Sequence, residues 1–453
     1  MRGPLTCRAI VVLACLVGTL APQAVAQAHD HGAMPNGAGS WEPLSAPAAG
    51  TARAAGAWML TVHGFTTTAY ISDRGPRGDD GVFGMSMLGG HASRPVGSGR
   101  LELRATLSAD AAFGRAGYPT LLQTGESADG STPLLDRQHP HDLFTEIAAA
   151  HSFPIEEGAW LTSYVALVGE PAFGPLAFMH RASAEPVPRA PIGHHFLDGM
   201  HITHGVVTLG VTSGERLRFE ASGFNGREPD SDRWDIEPPR VDSYSFRVSA
   251  RVGSDWALQA SVAEVTSPER LHPGIDVSRL SSSVTWNRPL RRGNWQTTVA
   301  VARARYARTV IPVAEARRTF SAPVLAHYLA LAAETGVPED SLALYFPERT
   351  QDAASIETSV RIDRIALGVR LETAAKTELF APQDARHSQV YDVAKVEMGA
   401  SVDVLSARAG TLSVGSALSA PFLPAELEAT YGSRALSWYV FTTFRISATQ
   451  MTR

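Results

Sequence analysis

Histidine is the residue of this chain whose type and spacing could do chemistry. Of fifteen histidines, eight (His139, His141, His151, His180, His194, His195, His201 and His204) crowd between positions 139 and 204. The strings Asp136-Arg137-Gln138-His139-Pro140-His141-Asp142 and Gly193-His194-His195-Phe196-Leu197-Asp198-Gly199-Met200-His201 mix imidazoles with carboxylates. Converging imidazoles suit Zn(II), Cu(II) or Ni(II), and neighbouring carboxylates fix their tautomers. The candidate metal-site residues are therefore His139, His141, His194, His195, His201, His204, Asp142 and Asp198. His139 and His141, two apart, project to one side of an extended chain. A second reading has the same histidines bonding to Asp and Arg and pinning inward-folded loops. No segment carries a dedicated ligand spacing that would decide between them.

Other chemistries are poorly supplied. Both cysteines, Cys7 and Cys15, fall in the first fifteen residues, so the rest of the chain has no thiolate and no disulfide. An outer-membrane hydrolase would draw on a pair such as His141 and Asp142, but no Gly-x-Ser-x-Gly elbow accompanies it. The chain is therefore expected not to be an enzyme. Only 19% of residues are charged, against roughly 25% in ordinary soluble domains. The net charge of -5 excludes a basic nucleic-acid binder. Lys occurs only twice, so the cations are almost all Arg, whose rigid guanidinium forks hold carboxylates.

Arg2 and Arg8 precede an apolar run, Ala9 to Leu20, that is too short to span a bilayer core of about 30 Å. Residues 1–28 read as a secretory signal peptide, with cleavage after Ala26 or Ala28. Cleavage after Ala28 exposes His29-Asp30-His31, whose free amine and third-position imidazole can bind Cu(II) or Ni(II) in a square plane. Residues 29–57, rich in Gly, Ala and Pro, read as a flexible periplasmic tail.

From residue 58 the chain alternates with period two. Leu101, Leu103, Ala105, Leu107 and Ala109 interleave with Glu102, Arg104, Thr106, Ser108 and Asp110, which puts the apolar groups on one face of a strand and the ions on the other. The parity flips across Asp363-Arg364, from Ile356, Thr358, Val360 and Ile362 to Ile365, Leu367, Val369 and Leu371, which marks a tight hairpin. Sixteen strands follow, within a range of 14–18: 58–72, 84–91, 99–110, 142–153, 158–169, 200–212, 215–225, 241–252, 254–266, 279–288, 293–306, 354–362, 365–378, 390–404, 409–418 and 434–446. Short connectors at 154–157, 213–214, 253 and 363–364 alternate with long ones at 111–141, 170–199, 226–240 and 307–353. The fold class is all-β: residues 58–453 form an antiparallel transmembrane β-barrel with short periplasmic turns and long extracellular loops, exported to the bacterial outer membrane. Trp58, Tyr70, Trp160, Trp256, Trp286, Trp295, Trp438 and Tyr439 fall near strand ends, where rings suit the headgroup level. A soluble sandwich alternates in the same way but buries its apolar face.

Three long loops have distinct expectations. The five prolines of 170–199 stiffen it as the constriction loop. The balanced charges of 226–240 shape selectivity or cap the rim. Ala322 to Glu334 suits a short amphipathic helix that acts as a lid.

The strings DRQHPHD (Asp136 to Asp142), GEPAFGPLAFMHR (Gly169 to Arg181), PIGHHFLDGMHITHG (Pro191 to Gly205) and FNGREPDSDRWDI (Phe224 to Ile236) resemble those of an uncharacterised family of bacterial outer-membrane β-barrel proteins. The resemblance covers residues 60 to 300 and implies an exported barrel. The expected function is a porin-like channel for small solutes or ions, with Cu, Zn or Ni as the candidate metal. Its expected partners are outer-membrane lipid and small solutes or metal ions, and homo-oligomerisation stays open. A structural barrel without transport activity is the remaining alternative.

Overall fold

The computed structural model describes residues 40–446, apart from 48–49, 126, 130, 334–341 and 434. The signal segment, both cleavage points and His29-Asp30-His31 lie outside the described residues. Sixteen strands close an antiparallel barrel. They are β1 (Trp58–Arg74), β2 (Asp80–Val96), β3 (Gly99–Leu107), β4 (Phe144–Glu156), β5 (Ala159–Gly169), β6 (Thr203–Ser213), β7 (Leu217–Phe224), β8 (Ser243–Val252), β9 (Trp256–Val265), β10 (Val277–Leu290), β11 (Gly293–Tyr306), β12 (Arg349–Ile362), β13 (Ile365–Lys376), β14 (Tyr391–Ser406), β15 (Gly410–Phe422) and β16 (Leu436–Ile446). Each pairs with its sequence neighbour, and β16 closes on β1 from Phe65↔Arg445 to Arg74↔Leu436. Asp363-Arg364 is the expected two-residue turn, with Ile362 opposite Ile365. Asp363 takes φ 52°, as a primed hairpin turn requires.

The faces of the strands decide between membrane barrel and soluble sandwich. Leu103, Phe246 and Leu371 point outward and are exposed, while their neighbours Arg104, Arg247 and Arg370 point inward. An apolar exterior around an ionic interior inverts a water-soluble protein and suits hydrocarbon outside. Trp256, Trp286 and Trp295 stand together near the short-turn rim, with ring centroids 6.2 and 5.3 Å apart. Tyr70 meets Trp438 at 5.8 Å toward the long-loop rim. Tyr439 departs from the expected girdle: it faces the lumen and is fully buried.

The second strand runs over 80–96 rather than 84–91. Gly89, Gly90 and Pro95 obscure its alternation, but β1 and β3 on either side supply both ladders. Residues 40–47 and 50–55 depart from the expected flexible tail. Thr51–Ala55 forms a strand along the start of β1. The Trp41 ring lies between Arg218 and Arg251, at 4.9 and 4.5 Å, and Ser45 bonds to Asn287. A cation–π seat between two arginines holds a segment whose composition reads as a linker.

Loop 170–202 enters the barrel and fills its middle. Arg181 pairs with Glu357, Arg189 with Asp73, and Arg370 donates to the Val187 and Arg189 carbonyls. The expected constriction loop is thus a plug, tied to the wall by buried ions that each have partners. The helix expected from Ala322 is present as Ala322–Ala333. It packs Val324, Leu325 and Tyr328 against the outer part of the apolar core.

Candidate metal centre

Two loops carry the histidines. The loop after β3 brings Asp110 and His141, and the plug brings a one-turn helix, His194–Leu197, followed by Asp198 and His201. Gly199 makes this fold-back possible, because a Cβ there would lie 2.8 Å from the His195 Cα. One donor atom each from His141, His194 and His201 lies within 4.8 Å of the others. His141 and His194 are buried, and His201 is half-buried.

Every one of these rings is fixed from behind. His141 Nδ1 is 2.7 Å from Asp110 Oδ2, His194 Nδ1 is 2.7 Å from Asp198 Oδ1, and His201 Nδ1 is 2.8 Å from the Asp198 carbonyl. Carboxylates and carbonyls only accept, so each Nδ1 carries a proton, and in the neutral form of the ring the bare nitrogen is Nε2. The Nε2 atoms of His141 and His201 face each other at 3.2 Å. With both Nε2 atoms bare, two lone pairs at that distance repel, whereas two nitrogens bound tetrahedrally to one Zn(II) at about 2.0–2.1 Å stand about 3.3 Å apart. The acceptors are themselves held: Asp110 takes the Ser86 amide at 2.6 Å, and Asp198 takes Arg181 and the Phe178 amide. Burial tends to raise the Asp198 carboxyl, but Arg181 and then His194 outweigh it and hold it at about 2. Burial, then the neighbouring imidazoles, pushes His201 well below its ordinary range.

The remaining expected residues divide. His139 and His195 stand beside the three, their rings 5.7 Å apart, with His195 5.8 Å from His194, but they do not join the converging group. His204 does not join it either; it stands on β6 opposite Val168 of β5. Asp142 accepts from Arg233 at 3.0 Å, which ties the histidine loop to the charged loop 225–242. Burial, opposed by Arg233, pushes its carboxyl up to about 6. Asp198 stands behind two of the rings, where it orients them. Asp110 is the residue sequence reasoning missed: it appeared as one more polar position of a strand, and no local spacing links it to a histidine far along the chain. A cavity of about 30 Å³ lined by His139, His141, Asp142, His194, His195 and His201 adjoins the group. One water probe takes about 10–15 Å³, so an ion with a bound water fits.

No protein-family model matches the chain, and no curated protein matches it. Among solved structures it is similar to OmpF of Salmonella typhi in complex with daunomycin, at 9% identity and TM-score 0.49 over 86% of this chain and 98% of that one. It is similar to the outer membrane channel DcaP of Acinetobacter baumannii, at 7% identity and TM-score 0.49, over 88% and 100%. An anion-selective porin from Comamonas acidovorans follows at 8% identity and TM-score 0.45, over 86% and 100%.

Proposed function

We propose that this chain is a porin-like channel of the bacterial outer membrane, for small solutes or ions, whose lumen binds a transition metal through His141, His194 and His201. The observation that carries the metal is the set of three imidazoles whose Nδ1 atoms are engaged and which each bring a ring nitrogen within 4.8 Å of the others, His141 and His201 facing Nε2 to Nε2. Three imidazole nitrogens with room for a water suit Zn(II), Cu(II) or Ni(II). The apolar exterior, the ionic lumen and the asymmetric rims support the outer-membrane reading. The metal joins two loops, His141 from one and His194 and His201 from the plug, and so staples the plug in place.

Metal analysis of the detergent-purified chain tests this. One tightly held ion per chain is expected, with loss in a His141→Ala/His194→Ala/His201→Ala variant that keeps the heat-modifiable gel mobility of a folded barrel. Equal metal in both samples ends the ligand assignment. Planar-bilayer conductance tests the channel separately.

A further inference from the structure

A second set of ligating side chains lies apart from the triad. Glu269 and His272 come from loop 266–276, and Glu378 from the start of loop 377–390. One donor atom from each lies within 4.8 Å of the others. His272 Nδ1 is 3.3 Å from Glu269 Oε2 and 3.6 Å from Glu378 Oε1. Among the described residues His272 Nδ1 and Glu378 Oε2 are buried with no hydrogen-bond partner, although both residues are only 4% exposed.

Two explanations compete. If the cluster were a plain ion pair, the imidazolium would close on one carboxylate at about 2.7–2.9 Å, a distance that Nδ1 of His141 and of His194 reaches with its own carboxylate, at 2.7 Å. Instead the nitrogen stands off from both carboxylates. Donors bound at about 2.0–2.2 Å around one tetrahedral ion stand about 3.4 Å from each other, which matches both separations. The nearby cations have other contacts of their own, Arg349 over the Tyr306 ring at 4.1 Å, Arg279 facing Glu228 at 3.6 Å and Lys376 donating to Gln123 and the Ile192 carbonyl, although the Arg349 charge also acts on Glu269 and Glu378.

We infer that Glu269, His272 and Glu378 form a second divalent-cation site. Two carboxylates and one imidazole neutralise the ion, and the set suits the borderline divalent metals Zn(II), Co(II) and Mn(II). Tyr328 and Phe346 place ring centroids 6.4 Å from His272, and His387 stands at 6.0 Å, so the site has an aromatic wall that limits water. Beside it lies a cavity of about 40 Å³ that includes Glu269 and Glu378 in its lining. His195 and Glu228 line both this cavity and the one at the triad. The two sites are therefore neighbours across those side chains. The inference rests on the proposed metal chemistry of the triad only for the class of ion.

The test is a count of ions. The full chain in detergent, stripped with chelator, is titrated with Co(II) and then Zn(II), with binding read from the cobalt visible spectrum and from metal analysis after desalting. Two equivalents are expected for the wild type. Glu269→Gln/Glu378→Gln is expected to lose one and keep the triad's spectrum, and the triple-alanine triad variant is expected to lose the other. An unchanged count in Glu269→Gln/Glu378→Gln overturns the second site and identifies an ion-pair cluster only. An unchanged count in the triad variant overturns the triad instead, so the two failures are distinct. Should the double variant not fold, His272→Gln reads the same loss.

Discussion

Asp110, Asp198 and the Asp198 carbonyl decide what His141, His194 and His201 can do, because they set which ring nitrogen keeps its proton. Removing such a support typically costs 10–100-fold in metal affinity. Asp110→Ala is therefore expected to weaken Zn(II) binding by about 10–100-fold while leaving one site per chain, as competition against a coloured chelator will show. Glu42 makes a pH prediction at the same scale. Burial pushes its carboxyl up to about 7 from 4.5, against Gln296, Arg251 and Arg181, which face it. The docked segment thus holds the proton more tightly than the free one does. Its docking is strongest at acidic pH, weakens from about 4.5 upward, and has lost this contribution above about 7. Exchange of the Ser45 amide, bonded to the Ser254 carbonyl at 2.9 Å, is expected to gain protection as pH falls through 7, after correction for intrinsic rates. Glu42→Gln is expected to abolish that dependence.

The plug shows what one element requires of its neighbours. Gly368 and Gly399 are opposite each other on β13 and β14, and both face Pro186. A Cβ on Gly399 would stand 1.9 Å from the Pro186 carbonyl oxygen, and one on Gly368 3.0 Å from its ring. The two glycines form a notch in the wall that receives the proline. Gly399→Val is expected to unseat the plug, with higher single-channel conductance and faster proteolysis near Pro186; unchanged conductance would show that the plug does not limit flow. The prolines that suggest a stiff inward loop are legible in sequence, but this seat is not, because it is made by residues about 180–210 positions further on. The same holds for the metal centre: the clustering of histidines is visible in the chain, whereas the choice of three, and of Asp110 behind one of them, depends on how two loops meet inside the barrel.

For the whole molecule, period-two alternation carries the number of strands, the turn at Asp363-Arg364 and the asymmetry of the rims, though not the full extent of the second strand. It does not show where irregular segments go, so residues 40–47 and 50–55 read as a loose tail although they dock on the barrel, and the helix Val313–Thr319 has no signal in it. The exterior makes its own prediction. Val248 lies midway along β8 and points outward, next to Arg247, which is buried against Glu220 at 2.9 Å. Val248→Arg is expected to cost about 2–4 kcal/mol in urea titrations of the barrel refolded in lipid, the cost of a charge at the midplane.

The pairing of β16 with β1 has a further consequence. Thr51–Ala55 already covers the lower part of β1, which leaves only Phe65 to Arg74 to be zipped by Leu436 to Arg445. Until that last segment arrives, the cylinder has an open seam with unmet backbone groups on both lips. Biogenesis must therefore shelter a nearly complete wall, and a chain cut before Leu436 would expose that edge to any neighbouring strand.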